Sequence, residues 1–401
     1  MHSAILFVTA ALAATLVLAA PAPLHRGSGK RAFRVNHRGR GRVDVRQAYK
    51  HAHRKYGWNS SVWSSASDDS TNSTAGGGDG GSVTATPDAT HGAYTAPVII
   101  GGQQLTLDFD TGSSDLWVFS TLLPAGEGAG HTLFNPQQSS TFASYPGASW
   151  MTTYGDGSAA AGSVGFDTVN IGGAVVQKQC VELAEKTEGF QSFTQSDGLL
   201  GLGFSSLNTV KPQQQKTFWE NILPDLAMPV FTADLDDTAS GSYDFGSIDA
   251  SQYSGSLQYA AVDTSSGYWQ VESNTNTIGG QVRKCTTCSP AVMDTGTTLM
   301  LIDADVAEAY YAQVQGARQS SVGYFEFPCS STLPDFGVAI GNNMVTLKGA
   351  DLVMQQGSIC LGGIQPISKT VGLQIYGDVF FKQYFTVFDG GNAQVGVAAK
   401  A

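Results

Sequence analysis

The feature that most limits what this chain can fold into is that its two halves repeat each other. Leu107-Asp108-Phe109-Asp110-Thr111-Gly112-Ser113-Ser114 is echoed by Ala291-Val292-Met293-Asp294-Thr295-Gly296-Thr297-Thr298. After the first comes Asp197-Gly198-Leu199-Leu200-Gly201, and after the second Gln374-Ile375-Tyr376-Gly377-Asp378. Each half thus has an apolar strand ending in Asp-Thr-Gly and, later, an apolar-apolar-Gly. Two copies of one supersecondary unit imply two lobes about a pseudo-twofold axis. Between the motifs the pattern is strand, turn, strand. Ala96–Ile100 meets Gly101-Gly102, then Leu105, Leu107 and Phe109 alternate with polar positions, which predicts a hairpin. Val169–Val175, with Gly172-Gly173 inside it, repeats that logic. One helix is predicted over 303–314, capped by Asp303, with Val306, Ala309, Tyr310 and Gln313 or Val314 along one side. An all-β fold with a few short helices follows.

A single Asp-Thr-Gly says little, because such triplets are common in turns. Two in matching contexts point to chemistry. Peptide hydrolysis needs an acid for the carbonyl oxygen and a base for water. Two carboxylates in contact cannot both ionise easily, so they share a proton and supply both functions. Asp110 and Asp294 are the expected pair. Gly112 and Gly296 leave room for the two loops to approach. Thr111 and Thr295 can hydrogen-bond across to the opposite loop. Ser113 and Thr297 can donate to the outer carboxylate oxygens.

Other hydrolytic chemistries fit poorly. A serine or cysteine hydrolase needs a histidine base. Only His91 and His131 lie beyond the N-terminal stretch, and there is no G-x-S-x-G. No H-E-x-x-H offers zinc ligands, so neither a metal nor another cofactor is expected. Glycosidases also use two carboxylates, but that chemistry does not call for two matching loops.

The net charge of −11 conceals a split. Residues 1–85 carry eleven Lys/Arg against four Asp/Glu, a net of +7, and residues 86–401 carry eleven against twenty-nine, a net of −18. A basic leader on an acidic body attaches at neutral pH and is released as carboxylates protonate. The acidic body argues against a nucleic-acid partner. Residues 1–20 form a short apolar run ending in Leu18-Ala19-Ala20-Pro21, which reads as a signal peptide rather than a membrane span. Residues 21–83 read as a basic pro-segment and linker. A helix is expected over Val43–Tyr56, with Val45, Ala48, Tyr49 and Ala52 on one face. Beyond it come acceptors for glycosylation at Asn59 and Asn72 and the Gly-rich stretch 75–81. The two lobes are then expected over 84–255 and 256–401. The product is expected to be secreted, soluble, unattached to membranes and monomeric.

Five cysteines lie in the body, and export permits disulfides. Cys329 and Cys360 are far enough apart in sequence to close a loop. Cys285-Thr-Thr-Cys288 can be a tight disulfide or two thiols. Cys180 is left over and reads as a buried thiol.

The two D-T-G motifs, the Trp117-Val118-Phe119-Ser120 after the first, the segment Tyr154-Gly155-Asp156-Gly157-Ser158 and the Phe388-Asp389-Gly-Gly-Asn392 near the end resemble the pepsin-like aspartic peptidases. The fungal secreted branch, of penicillopepsin or aspergillopepsin type, is the nearest in kind, and the resemblance covers roughly residues 84–401. The shared proton is an established trait of that family and is carried over as such. The resemblance implies a bilobal pepsin-like fold in which Leu199-Leu200-Gly201 and Ile375-Tyr376-Gly377 complete ψ-shaped loops. It implies a flap hairpin with Tyr154 hydrogen-bonded to Trp117, although Tyr154 can also be read as a surface aromatic of a hairpin and Trp117 as plain core. Gly155 and Asp156 would grip the substrate main chain, and Gly296 and Thr298 would do so from the second lobe. Asp156, with help from Ser158, would admit Lys at P1 beside the usual hydrophobic residues; the plainer role of Asp156 is to form the turn. Cys329–Cys360 matches the family's C-lobe disulfide. Lys55-Tyr56 resembles the pro-segment pair whose lysine sits between the two aspartates, which makes the pro-segment an inhibitor of its own enzyme. A polypeptide-cleaving endopeptidase is thus expected; the rival is a non-catalytic binding protein on the same fold.

Overall fold

The computed structural model describes residues 31–36, 45–56, 94–154, 158–190, 196–236, 241–285, 287–356 and 359–401. The expected signal peptide, both glycosylation acceptors, the Gly-rich linker and the flap residues Gly155 and Asp156 lie outside them.

Both expected hairpins form. Thr95–Ile100 pairs with Gln103–Asp110, ending at Ile100 opposite Gln103. The two-residue turn places Gly101 and Gly102 at φ +55° and +80°, the left-handed region that a two-residue hairpin of this hand requires. Gly172 and Gly173 turn Ala159–Ile171 into Ala174–Glu188 in the same way. Leu105, Leu107 and Phe109 are buried, as the alternation requires.

The repeat in the sequence is a repeat in topology. In the first half Gln103–Asp110 runs parallel to Gly198–Gly201, with Asp110 opposite Gly201. Leu116–Phe119 returns antiparallel on the other side of Gly198–Gly201. In the second half Ala291–Met293 runs parallel to Gln374–Tyr376, and Met300–Asp303 returns antiparallel to it. The chain after each Asp-Thr-Gly therefore crosses over the later apolar-apolar-Gly. The closing glycine is needed for that crossing. A Cβ on Gly201 would stand 2.5 Å from Ser114 Cα, and one on Gly377 would run into the carbonyls of Thr297 and Leu299.

The first-half strands belong to a seven-stranded sheet. An eleven-stranded sheet begins at Phe33–Asn36 and includes the C-terminal hairpin Tyr384–Asp389 and Gln394–Lys400 as well as the second motif. The expected lobe boundary at 255/256 falls within the strand Tyr253–Asp263, at its irregularity between Ser254 and Gln258. No strand is legible before residue 84 in the sequence, yet Phe33–Asn36 pairs antiparallel with Ser242–Phe245. Arg34 fixes that edge, donating to Asp244 at 2.6 and 2.7 Å and to Asp249 at 2.7 Å.

The predicted pro-segment helix runs Val45–Lys55, and Val45, Ala48, Tyr49 and Ala52 are its buried face. They pack with Val292, Leu301 and Ile375 from around the second motif. The helix predicted over 303–314 is shorter, Ala304–Tyr311, with Val306, Ala307, Tyr310 and Tyr311 buried. Asp303 precedes it but does not cap it. Its carboxylate instead accepts from Ser289 N at 2.8 Å and Ser289 Oγ at 3.0 Å, which ties the helix to the approach of the second motif. Cys285–Cys288 and Cys329–Cys360 are disulfides, and Cys180 is a buried thiol.

Candidate active site

Asp110 ends one strand and Asp294 follows another, and the crossing brings the two loops face to face. Both carboxyls are buried, at 1% and 0% exposure. Each loop folds back on its own aspartate. Gly112 N donates to Asp110 Oδ1 at 2.8 Å and Ser113 Oγ to Oδ2 at 2.6 Å. Gly296 N donates to Asp294 Oδ1 at 2.9 Å, and Thr297 Oγ1 to Oδ2.

The loops are also laced together. Thr111 N donates to Thr295 Oγ1 at 3.1 Å, and Thr295 N to Thr111 Oγ1 at 2.9 Å. Each hydroxyl then donates across to the other half, Thr111 to Met293 O and Thr295 to Phe109 O, both at 2.7 Å. A Cβ on Gly112 would fall on the Asp294 carboxylate, and one on Gly296 on Asp110. Only glycine lets the carboxyls come this close.

The electrostatics of the pair are asymmetric. Burial pushes Asp110 above the usual carboxylate range and the charge of Asp294 adds to it, against the pull of Lys55. Burial acts the same way on Asp294. There Lys55, together with hydrogen bonds from Asp110, Thr297 and Tyr56, overrides it and holds the group below that range. The two carboxyls thus sit in unequal surroundings, with Asp110 the more readily protonated of the two.

The cleft over the pair is filled by the end of the helix Val45–Lys55. Lys55 Nζ stands 2.8 Å from Asp110 Oδ1 and 3.1 Å from both Asp294 oxygens. Tyr56 OH donates to Asp294 Oδ2 at 2.6 Å. The Lys55 side chain is 6% exposed. Burial alone would drive off its proton, but the two carboxylates raise its pKa above the ordinary lysine value. The ammonium is the countercharge that this buried pair otherwise lacks.

Tyr154 immediately follows the strand Ala143–Thr153, which carries Trp150, and its hydroxyl accepts from Trp117 Nε1 at 2.6 Å. Its ring meets Phe190 edge-on at 5.9 Å, and His51 of the helix Val45–Lys55 stacks over it at 6.1 Å. Tyr154 N donates to Ser158 O at 2.7 Å, closing the hairpin between Ala143–Thr153 and Ala159–Ile171. Ser158 is 1% exposed here, inside the base of the hairpin rather than facing an open cleft. Thr298 lies beside the second loop, mostly buried, with its carbonyl accepting from Val379 N at 3.2 Å.

Two features of the site carry no sequence signal. Tyr268 packs on the Tyr56 ring at 5.8 Å and lies within the field of both aspartates, although nothing near it repeats. Glu182 and Asp115 form a buried acidic contact beside Trp117. Asp115 sits inside the first motif region, but Glu182 arrives from a strand 67 residues further along.

This arrangement of crossed loops, mirrored threonines and facing carboxyls defines an aspartic-type peptidase, and the chain belongs to the eukaryotic aspartyl protease family, whose model matches residues 93–400. It is an aspartic endopeptidase acting on polypeptides. Penicillopepsin-1 of Penicillium janthinellum is 45% identical over 80% of this chain and 99% of its own length. Endothiapepsin of Cryphonectria parasitica is 44% identical over 93% of this chain and 91% of its own. Aspergillopepsin-1 of Aspergillus clavatus is 41% identical over 98% of each. None of the described helices is long and apolar enough to cross a membrane.

Proposed function

We propose that the chain is the precursor of a secreted acid endopeptidase whose catalytic residues are Asp110 and Asp294. The observation that carries this reading is the pair of buried carboxyls in contact, each held by its own loop through the same two donors. With Lys55 withdrawn, a water bridging the two inner oxygens would lose a proton to the ionised carboxylate as it attacks the peptide carbonyl. The protonated carboxyl would deliver its proton to the carbonyl oxygen. The threonine lacing and the Ser113 and Thr297 bonds keep both groups in place through that exchange, so little reorganisation is needed.

Tyr154, Gly155 and Asp156 would close over the substrate, with Gly296 and Thr298 holding its main chain from the opposite side. Phe190, Trp117 and Tyr154 pack together on the first-lobe side, which suits an apolar P1 residue. Asp156 would add tolerance for Lys there. The pro-segment would hold the enzyme silent: Lys55 neutralises the dyad, Tyr56 occupies Asp294, and Arg34 anchors the leading strand.

The test is hydrolysis of denatured haemoglobin at about pH 3, below the ordinary carboxylate pKa. Activity should appear after acid exposure, be abolished by a statine-type inhibitor and survive a chelator. Loss of activity with the chelator would exclude the metal-free dyad.

A further inference from the structure

Behind the flap tyrosine a second pair of carboxyls is buried that no step above uses. Asp115 immediately precedes the strand Leu116–Phe119, and Glu182 lies in register with Trp117 on the neighbouring strand. They are 4% and 1% exposed. The Asn208 amide bridges them, donating to Asp115 Oδ1 and Glu182 Oε1, both at 2.9 Å. Thr209 completes Asp115, through N to Oδ1 at 2.8 Å and through Oγ1 to Oδ2 at 2.9 Å. Glu182 Oε2 meets no donor among the described residues. No Lys, Arg or His among those residues pairs with either group. The titratable groups that face the pair are the Cys180 thiol on the Glu182 strand and the Tyr154 phenol, itself held by Trp117.

Two carboxylates in contact, out of water and without a cation, cannot both be charged. We infer that Asp115 and Glu182 hold one proton between them, with Glu182 as donor, and that the pair is a positioning device for Trp117 and Tyr154 whose deprotonation sets the enzyme's upper pH limit. The inference rests on the acid-peptidase reading above.

Burial, then the neighbouring charge, keeps Glu182 protonated well past its ordinary range, and burial pushes Asp115 up to about 6. Groups raised in the folded state contribute stability that is intact below their unfolded pKa of roughly 4. That contribution is lost as pH rises through 6 and beyond. When the last proton leaves, like charges stand across the Trp117–Glu182 register with only Asn208 between them. The two strands must then separate or admit water. Either motion removes the wall against which Trp117 holds the flap tyrosine.

The experiment compares Glu182→Gln with wild type in the full-length chain. The glutamine amide supplies the bridging hydrogen at every pH. Thermal unfolding is read at about pH 3.5 and 6.5, and peptide hydrolysis after acid exposure is followed across that range. The gap in melting temperature between the two pH values should narrow. The ratio of kcat at about pH 6 to kcat at about pH 3.5 should rise about tenfold, the size of a one-unit shift of the alkaline limb. Asp115→Asn, which removes the other half of the pair, should shift the limb in the same direction and decides the matter if Glu182→Gln does not fold. An alkaline limb unmoved in the variants that fold, or melting lowered equally at both pH values, overturns the inference. If wild type cleaves nothing in acid, the peptidase reading falls, while the melting comparison still decides whether the pair shares its proton.

Discussion

Thr111 and Thr295 illustrate how single residues build this site. Neither touches a reacting atom, yet each hydroxyl both accepts from the opposite amide and donates to the opposite strand. That reciprocity requires the same residue in both loops, which is why the chemistry was visible as a repeat. Asp110→Asn and Asp294→Asn should each lower turnover by about 10²–10⁴-fold, the usual contribution of a general acid or base, while leaving the chain folded. A single mutant retaining more than about a tenth of wild-type kcat would exclude that residue from the dyad. Asp156→Thr addresses specificity. A lysine ammonium entering an apolar pocket loses hydration unless a carboxylate meets it. The variant should lose about one to two orders of magnitude in kcat/KM on Lys substrates and spare Phe substrates, the scale of a partly buried ion pair. Equal loss on both would reduce Asp156 to a turn former. The facing aspartates and their glycines were legible in the repeated motif, and the Tyr154–Trp117 bond in the family resemblance. Tyr268 and Glu182 were not, since a role created by proximity alone leaves no local pattern.

At the scale of elements, the helix Val45–Lys55 is the informative one. Its period placed Val45, Ala48, Tyr49 and Ala52 on the buried face, because 3.6 residues per turn is a property of the helix itself. The same face carries His53, 1% exposed, with Nε2 3.0 Å from Pro366 O and its ring 4.0 Å from Tyr49. Burial lowers its pKa to about 3. A depressed histidine contributes to docking above its ordinary pKa of roughly 6.5, and that contribution is lost as pH falls towards 3. His53→Leu should therefore lower the pH of half-maximal activation, by about one unit. Lys55→Ala should instead weaken inhibition by separately added leader at neutral pH, because it leaves the dyad without its countercharge. An unchanged activation midpoint for the first, or an unchanged inhibition constant for the second, would count against these roles. The edge strand Phe33–Asn36 shows the limit of local reading. A strand of four residues is defined by its partner, and Arg34 finds Asp244 across 210 residues.

For the whole molecule, the charge split and the disulfides set the operating conditions. On the proposed reading, a basic leader and an acidic body would attract each other at neutral pH and part as the body's carboxylates protonate, so release and activity would share one trigger. Cys329–Cys360 closes a separation of 31 residues, and removing both cysteines should cost about 3–4 kcal/mol by the loop-entropy account. Chemical denaturation of the double serine variant checks this; a change below about 1 kcal/mol would mean the loop is already held by its strands. The sequence by itself determined the repeat, the identity of the two aspartates, the glycines that let them meet, the hairpins and the amphipathic helix. These rest on residue type and short-range spacing. Tertiary structure alone decided that Asp303 ties down Ser289 instead of capping its helix, that Phe33–Asn36 begins the large sheet, and that Glu182 comes to lie against Asp115. Each of those depends on groups distant in sequence meeting where water is excluded, and there a charge or hydrogen bond is decided by its neighbours in space rather than in the chain.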